Sequence, residues 1–206
     1  DTMGVKATDP SAVLVVPDPY LYYARLTQWW LARVRPAAAQ TEVHASAVVD
    51  PTPASRELAA AKGVAHFDSL EALLTHGASK PDGVILATPN HLHVSGALAC
   101  AEHGVPAIIE KPVAESLAAG RQLVDALTGK PVPMLVGHHR RHSSTLQMAR
   151  RTIESGRLGR VVTVMGSAQF YKPDSYFEQG VWRTQAGGGP ILINLIHEMD
   201  NLRYLC

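Results

Sequence analysis

The sequence has few cysteines, no long apolar run and almost no net charge, and each shortage excludes a class of protein. Two cysteines far apart, Cys100 and Cys206, make a disulfide-stabilised secreted domain unexpected. The net charge of +1 predicts no basic surface for nucleic acid or for an anionic membrane. No apolar run approaches the ~20 residues of a transmembrane helix, and no signal-peptide pattern opens the chain. The composition favours a globular, cytoplasmic protein without a nucleic-acid or membrane partner.

What is present in the first two thirds of the chain is an alternation of short apolar runs with helical stretches. The apolar runs predict buried strands at 12–16, 43–49, 83–87, 107–109 and 134–136, and the intervening helices fall at 55–62, 69–75, 93–103 and 116–129. A further helix after the first strand is indicated by the spacing of Tyr22, Leu26, Trp29 and Trp30. This order predicts an α/β fold with a doubly wound, Rossmann-like parallel sheet.

The pattern changes after Gly137, which divides the chain into two predicted domains. Residues 1–137 are expected to form the Rossmann-like nucleotide-binding domain, and 138–206 the beginning of a second, α+β domain. In the second part we predict a helix from Ser143 to Gly156, a strand at 160–165, an aromatic and polar loop at 170–179, and a last helix opened by Gly187-Gly188-Gly189-Pro190. Because these elements are too few to close a core, we expect the chain to be a fragment.

Polar residues follow two of the predicted strands directly. Thr88-Pro89-Asn90 comes after the strand at 83–87, and Glu110-Lys111-Pro112 comes after the strand at 107–109. In a doubly wound sheet, ligands bind beyond the carboxyl ends of the strands. The two turns are therefore expected to lie together at the functional edge of the sheet.

Several motifs in this order identify a family resemblance. The stretches ILATPNHLH, EKPVAES, GHHRR, ESGRLGRV, WR and GGGPILINLIHEMD resemble the Gfo/Idh/MocA oxidoreductases in sequence and order, from Val48 to the end. The resemblance implies an N-terminal Rossmann domain and a C-terminal α/β substrate domain. It also implies hydride transfer between NAD(P) and a small polyhydroxyl substrate, such as a sugar, a cyclitol or a related compound.

Lys111 is the first catalytic candidate. Oxidising an alcohol requires a base for the hydroxyl proton, and a lysine in a partly dry site has a lowered pKa that suits this task. The resemblance implies that Lys111 lies beside the nicotinamide and the substrate. A solvated lysine at the end of a strand is the alternative reading.

His197 is the second catalytic candidate. Asn194 and His197 are three residues apart in a predicted helix and therefore share a face. The resemblance implies that both point at substrate hydroxyls. Asparagine cannot accept a proton, so a proton relay would have to run through His197 and Lys111.

Further site residues follow from the resemblance and from position. The cofactor contacts are expected from Asp50, Thr88, Pro89, Asn90, Glu110, Lys111, Pro112, Trp182 and Arg183, and the substrate contacts from Lys111, His138, Arg140, Asn194 and His197. Asp50 ends the second strand, where an acid bonds the adenosine ribose of NAD, whereas nearby Arg56 leaves NADP open. His91 and His93 have the spacing of a metal pair, but no third ligand is indicated, so no metal is expected.

The glycine fingerprint of a dinucleotide turn is missing. Pro17, Pro19 and Tyr22 occupy the three positions of G-x-G-x-x-G, and Asp18 adds negative charge. Proline donates no N–H to a pyrophosphate, and tyrosine blocks close packing of helix on strand, so weak cofactor binding is expected.

Three accounts of this turn stay open. In the first, the N-terminal segment is a misread or frameshifted piece of gene, which leaves an inactive fragment, and the missing C-terminal sheet favours this account. In the second, the chain is a divergent, non-catalytic ligand-binding or sensor module. In the third, the glycine loop lies upstream of Asp1. The short distance from the first strand to Asp50 disfavours the last account. A homo-oligomer is expected only of a full-length version.

Overall fold

Six short strands form one parallel sheet in the computed structural model, which describes residues 13–15, 45–77 and 80–206. The strands are β1 (Val13–Val15), β2 (Ala47–Val49), β3 (Ala65–Phe67), β4 (Val84–Leu86), β5 (Ala107–Ile109) and β6 (Met134–Val136). Their order across the sheet is β3-β2-β1-β4-β5-β6, and every neighbouring pair is parallel. This is the order of the dinucleotide-binding doubly wound fold, so the predicted fold class is confirmed.

The burial of the strands explains their sequences. β2, β4 and β5 are buried along their whole length, which accounts for their unbroken runs of alanine, valine, isoleucine and leucine. β3 at the edge is more exposed and carries His66 at its centre. That polar centre is the reason why the sequence pattern did not predict β3.

Seven α-helices are described, and hydroxyl side chains cap four of them at the N-terminus. They are α1 (Pro53–Lys62), α2 (Leu70–Leu74), α3 (His93–Glu102), α4 (Leu117–Leu127), α5 (Ser144–Glu154), α6 (Asp174–Glu178) and α7 (Ile196–Leu205). The capping residues are Thr52, Ser69, Ser116 and Ser143, each accepting from a backbone N–H of the first turn. The predicted left-handed cap of α1 is confirmed, since Gly63 has φ of +66°.

Two predictions for the second part of the chain are wrong. Residues 160–165 form no strand, because none of the strands in the described sheet lies beside them to complete a hydrogen-bonded ladder. The predicted loop at 170–179 contains α6, whose first residue follows Pro173 and is an acid suited to a helix N-terminus. The predicted strand at 43–49 is observed only at its end, in β2, and residues 43–44 lie outside the described ranges.

The last helix is predicted in position but not in type. Its entry at Pro190 leads into a π-helical turn, Ile191–Leu195, before the α-helical α7 begins. Short π-helical turns inside helices occur often at functional sites.

The first-turn residues Pro17, Asp18, Pro19 and Tyr22 lie outside the described residues, as do Leu26, Trp29 and Trp30. In the part of the chain that is described, no helix combines the length and the apolar character needed to cross a bilayer.

Candidate active site

The two polar turns that follow β4 and β5 lie side by side at the carboxyl edge of the sheet, and His93 spans them. Its Nδ1 atom is 2.7 Å from the carbonyl oxygen of Pro112, and its Nε2 atom is 2.8 Å from that of Thr88. Burial is the main cause that lowers the pKa of His93, so the ring is neutral near pH 7. A neutral imidazole has one N–H and donates to one of these two oxygens at a time.

The bridging position of His93 was not predicted from the sequence, where His91 and His93 were interpreted as polar residues at a helix entry or as the spacing of a metal pair. The available signal was its place on the buried face of α3, in line with Ala97, Cys100 and Ala101. A histidine on such a face needs backbone partners, and the two strand-end turns provide them. Among the described residues, no group of three or more side chains is arranged to hold a metal ion.

Lys111 joins the end of β5 to the segment before α7. Its Nζ atom donates to the carbonyl oxygen of Ile193 at 2.7 Å. Burial is the largest influence on the pKa of Lys111 and lowers it, the charge of Glu110 acts in the opposite direction, and Arg140 and Lys172 add to the lowering. The Lys111–Pro112 peptide bond is cis.

His197 lies in α7, close enough to Lys111 to be affected by its charge. Burial, followed by electrostatic interactions with Lys111, His139 and Arg140, lowers the pKa of His197 to about 3. The ring packs edge-on against His139 with 4.8 Å between the ring centroids. His197 is therefore neutral at physiological pH and is suited to hydrogen bonding rather than to carrying a charge.

Asn194 and His197 do not lie in one regular α-helix, which the spacing argument assumed. Asn194 lies in the π-helical turn and His197 in α7, and the wider π-turn changes the angle between residues three apart. The role of Asn194 in substrate binding stays a prediction.

The residues after β6 hold α7 in place. Arg140 pairs with Glu198, and the Nε atom of Arg141 donates to both carboxylate oxygens of Asp200 at 2.9 and 2.8 Å. The Nδ1 atom of His138 is 3.7 Å from Asp200, a distance too long for a direct hydrogen bond. The substrate contacts predicted for His138 and Arg140 stay predictions, but Glu198 already engages the Arg140 guanidinium.

A cavity of about 290 Å³ lies between the Asn90 turn and the loop at 182–187. It is lined by Asn90, His91, Glu115, Trp182, Gln185, Ala186 and Gly187. The amide of Asn90 donates to the carbonyl oxygen of Gly187 at 2.9 Å and closes one side. Trp182 thus faces the cavity, whereas the Arg183 guanidinium lies 4.2 Å from the centroid of the Tyr176 ring and donates to the Tyr176 carbonyl.

Glycine is required in this loop by close approach of the backbone. A Cβ atom at Gly188 would lie 2.5 Å from the carbonyl oxygen of Trp182. At Gly187 it would lie 2.5 Å from the Cβ of Glu115, and φ is +84°. The glycine run therefore shapes the wall of the cavity.

Polar groups without a hydrogen-bond partner at the carboxyl edge of the sheet indicate whether a dinucleotide fits there. The hydroxyl of Thr88 is buried and has no hydrogen-bond partner among the described residues, which leaves a donor at the end of β4. Asp50 lies at the end of β2 beside a second cavity of about 470 Å³, lined by Pro51, Pro53, Arg56, Glu57 and Ala60. The described part of the edge fits a dinucleotide.

The charged groups beside the second cavity are partly engaged. One carboxylate oxygen of Asp50 accepts from the backbone N–H of Thr52 at 2.7 Å. Arg56 pairs with Asp68 at 2.8 Å on the exposed surface. In doubly wound folds, an acid near the end of the second strand bonds the adenosine ribose of NAD, whereas a nearby arginine accommodates the 2′-phosphate of NADP, and this edge carries both kinds of residue.

Comparison with known proteins agrees with this geometry. Residues 31–138 match the model of an oxidoreductase family with an NAD-binding Rossmann fold, and residues 146–206 match the GFO/IDH/MocA C-terminal domain. The rhizopine catabolism protein MocA of Rhizobium meliloti is 30% identical over 172 residues, which are 84% of this chain and 52% of that protein. The chain thus spans about half the length of this relative.

Two solved structures are similar in fold and carry ligands. The WlbA dehydrogenase from Bordetella pertussis, in complex with NADH and UDP-GlcNAcA, has a TM-score of 0.79 and 27% identity, over 95% of this chain and 58% of that one. Levoglucosan dehydrogenase, in complex with NADH and levoglucosan, has a TM-score of 0.72 and 25% identity, over 95% of this chain and 53% of that one.

Proposed function

The chain belongs to the Gfo/Idh/MocA oxidoreductase family, and on that premise we propose that it carries the site of an NAD-dependent dehydrogenase acting on a sugar, cyclitol or related polyhydroxyl compound. Support comes from its similarity to a levoglucosan dehydrogenase and to the WlbA dehydrogenase, both described in complex with NADH. The proposed location is cytoplasmic.

One observation carries the proposal: Lys111, at the end of a strand in the first half of the chain, reaches the segment that contains His197. The hydrogen bond from the Lys111 amine to Ile193 joins residues that are 82 positions apart. A solvated lysine at the end of a strand would need neither burial nor a hydrogen-bond partner in the second part of the chain. This contact supports the proposal that Lys111 and the neutral His197 act together at the carboxyl edge of the sheet.

Lys111 is proposed to accept the hydroxyl proton of the substrate. Burial, Arg140 and Lys172 all favour the neutral amine, so a fraction of Lys111 is deprotonated at a pH where a solvated lysine would be fully charged. A bound nicotinamide would supply the hydride acceptor. The hydrogen bond to Ile193 fixes the direction of the amine without neutralising it.

His197 is proposed to orient the substrate rather than to take its proton. With a pKa of about 3, its imidazole is neutral and has one N–H donor and one lone pair to offer a hydroxyl. Asn194 is proposed to contribute a second hydrogen bond to the substrate.

Thr88 and Asn90 are proposed to hold the nicotinamide end of the cofactor, and Asp50 the adenosine ribose. Pro89, Glu110, Pro112, Trp182 and Arg183 complete the proposed cofactor contacts. NAD is preferred to NADP because Asp50 would repel a 2′-phosphate.

A second candidate function is a non-catalytic ligand-binding module, and the first-turn sequence favours it. Pro17 and Pro19 cannot donate to a pyrophosphate, and losing two charge-assisted hydrogen bonds costs roughly 3 to 6 kcal/mol. We therefore expect NADH to bind this chain more weakly than micromolar. A micromolar dissociation constant would show that the prolines do not impair binding.

The proposed function is tested by titrating the chain with NADH and NADPH and by assaying NAD reduction with cyclitols and anhydrosugars. Lys111→Ala is expected to lower turnover by ~10²- to 10⁴-fold with little change in NADH affinity, because the lysine handles the substrate proton. Lys130→Ala, which alters an exposed lysine, is the control and should match the parent.

The outcomes separate the two candidates. Turnover that is lost with Lys111→Ala and kept with Lys130→Ala supports the dehydrogenase. Absence of turnover, together with NADH binding weaker than micromolar, supports the binding module. Equal turnover in the parent and in Lys111→Ala would remove Lys111 from the mechanism.

A further inference from the structure

Glu110 is an acid that lies inside the protein at the edge of the candidate site. Glu110 follows β5 directly, and the residue is 8% exposed. One carboxylate oxygen, Oε2, accepts from the backbone N–H of Lys111 at 3.1 Å. The carboxyl group of Glu110 is therefore directed into the protein and held against the Lys111 backbone.

The other carboxylate oxygen occupies space that exists because residue 137 is glycine. A Cβ atom at Gly137 would lie 2.6 Å from Oε1 of Glu110, and 3.2 Å from its carboxyl carbon. The backbone N–H of Gly137 donates to Ile109 at 2.8 Å, so the close approach is held by the ladder between β5 and β6. The φ of Gly137 is not in the left-handed region, so room for the carboxyl group, not backbone freedom, is what requires glycine here.

The charge of Glu110 acts on the candidate base. Burial raises the pKa of Glu110 to about 7, against the opposing effects of the Lys111 charge and backbone N–H. In return, an ionised Glu110 favours the protonated form of Lys111, whereas Arg140 and Lys172 disfavour it. The charge of Lys111 also disfavours protonation of His93, His138 and His197.

We propose that Glu110, lodged in the space left by Gly137, is a positioning residue that fixes the Lys111 turn and sets how readily the Lys111 amine loses its proton. The effect of Glu110 on catalysis rests on the proposed function. The electrostatic coupling between the Glu110 carboxyl group and the Lys111 amine does not depend on it. A neutral Glu110 makes Lys111 easier to deprotonate, and an ionised Glu110 makes it harder. Gly137 acts through Glu110, because a side chain at this position would displace the carboxyl group.

The test is a titration of Lys111 in the chain as it exists, which requires neither cofactor nor turnover. The six lysines are labelled by reductive methylation with ¹³C-formaldehyde and followed by NMR, and the Lys111 signal is assigned by its loss in Lys111→Arg. In the parent we expect this signal to show its own midpoint and a second inflection near pH 7, where Glu110 ionises.

Glu110→Gln keeps the shape of the side chain and removes its charge. It should lower the Lys111 midpoint by about one unit and abolish the inflection, because the nearby negative charge is gone. Glu71→Gln, which alters an acid on the exposed side of α2, is the matched control and should leave the titration unchanged. An unchanged Lys111 titration in Glu110→Gln would overturn the proposal.

Gly137→Ala tests the steric half of the proposal. It should move the midpoint and the inflection, whereas Gly77→Ala should not, since a Cβ at Gly77 meets no atom within 4 Å. If Gly137→Ala fails to fold, the double variant Glu110→Ala/Gly137→Ala should fold, because the added methyl group then fills vacated space. A folded Gly137→Ala with the parental titration, or a double variant that also fails to fold, would contradict the role of Gly137.

Discussion

The parallel sheet and the exposed segment at 157–173 contain the same kinds of apolar residues in opposite surroundings. Val84 and Leu86 in β4 are each 1% exposed, whereas Val162 is 80% and Met165 is 91% exposed. β4 has hydrogen-bonding neighbours on both sides, β1 and β5, and no described strand lies beside the exposed segment. The difference shows that β-propensity forms a strand only where a partner completes the ladder.

The sheet and the second part of the chain meet at a few polar contacts rather than through a shared described strand. Asn90 bonds Gly187, and Lys111 bonds Ile193. These contacts come from the turns at the carboxyl edge, so the candidate site is also the junction between the two parts. A substitution in one part is therefore expected to affect the structure of the other part mainly through these turns.

The largest expected effect comes from the same substitution made in each region. Leu86→Ala removes a side chain from the core cluster and should lower the free energy of unfolding by about 2 to 5 kcal/mol, because it leaves a cavity. Leu158→Ala, at a site 66% exposed, should change it by less than about 0.5 kcal/mol. Urea unfolding of both variants checks this. Equal losses would mean that the exposed segment is as well packed as the sheet.

The next effect concerns buried and exposed acids. Folding raises the pKa of Glu110 from 4.5 to about 7, so its contribution to stability is present while it is protonated and is lost as the pH rises through that window. Glu110→Gln should therefore gain up to roughly 3 kcal/mol relative to the parent between pH 4.5 and about pH 8. Glu154→Gln, at an exposed acid of α5, should show no such gain. Parallel stability–pH curves for the parent and Glu110→Gln would contradict the buried ionisation.

The smallest effect compares two helix caps. Ser116 caps α4 beside the sheet, and Ser143 caps α5 in the second part, each accepting from a backbone N–H at 3.2 Å. Ser116→Ala should cost about 1 kcal/mol of unfolding free energy. If α5 unfolds together with the sheet, Ser143→Ala should lower the free energy of unfolding by the same amount as Ser116→Ala. A smaller cost in global unfolding, with faster amide exchange confined to α5, would show that α5 opens separately.

Local signals in the sequence were sufficient for much of the fold. Mainly apolar runs located five of the six strands, and Ser116, Ser143 and Gly63 marked helix ends that the structure reproduces. These signals work because strand burial and helix capping depend on residues close in sequence. β3 was missed because a three-residue edge strand with a central histidine has no such pattern.

The candidate site divides in the same way. The sequence by itself determined which polar residues end the strands, since Thr88, Asn90 and Lys111 follow apolar runs that have to be buried. Only the tertiary structure decided that His93 bridges the two turns, that Glu110 points into the space of Gly137, and that Lys111 reaches Ile193. Those contacts join residues 5 to 82 positions apart. They depend on the register of neighbouring strands and on a π-helical turn, neither of which local spacing encodes.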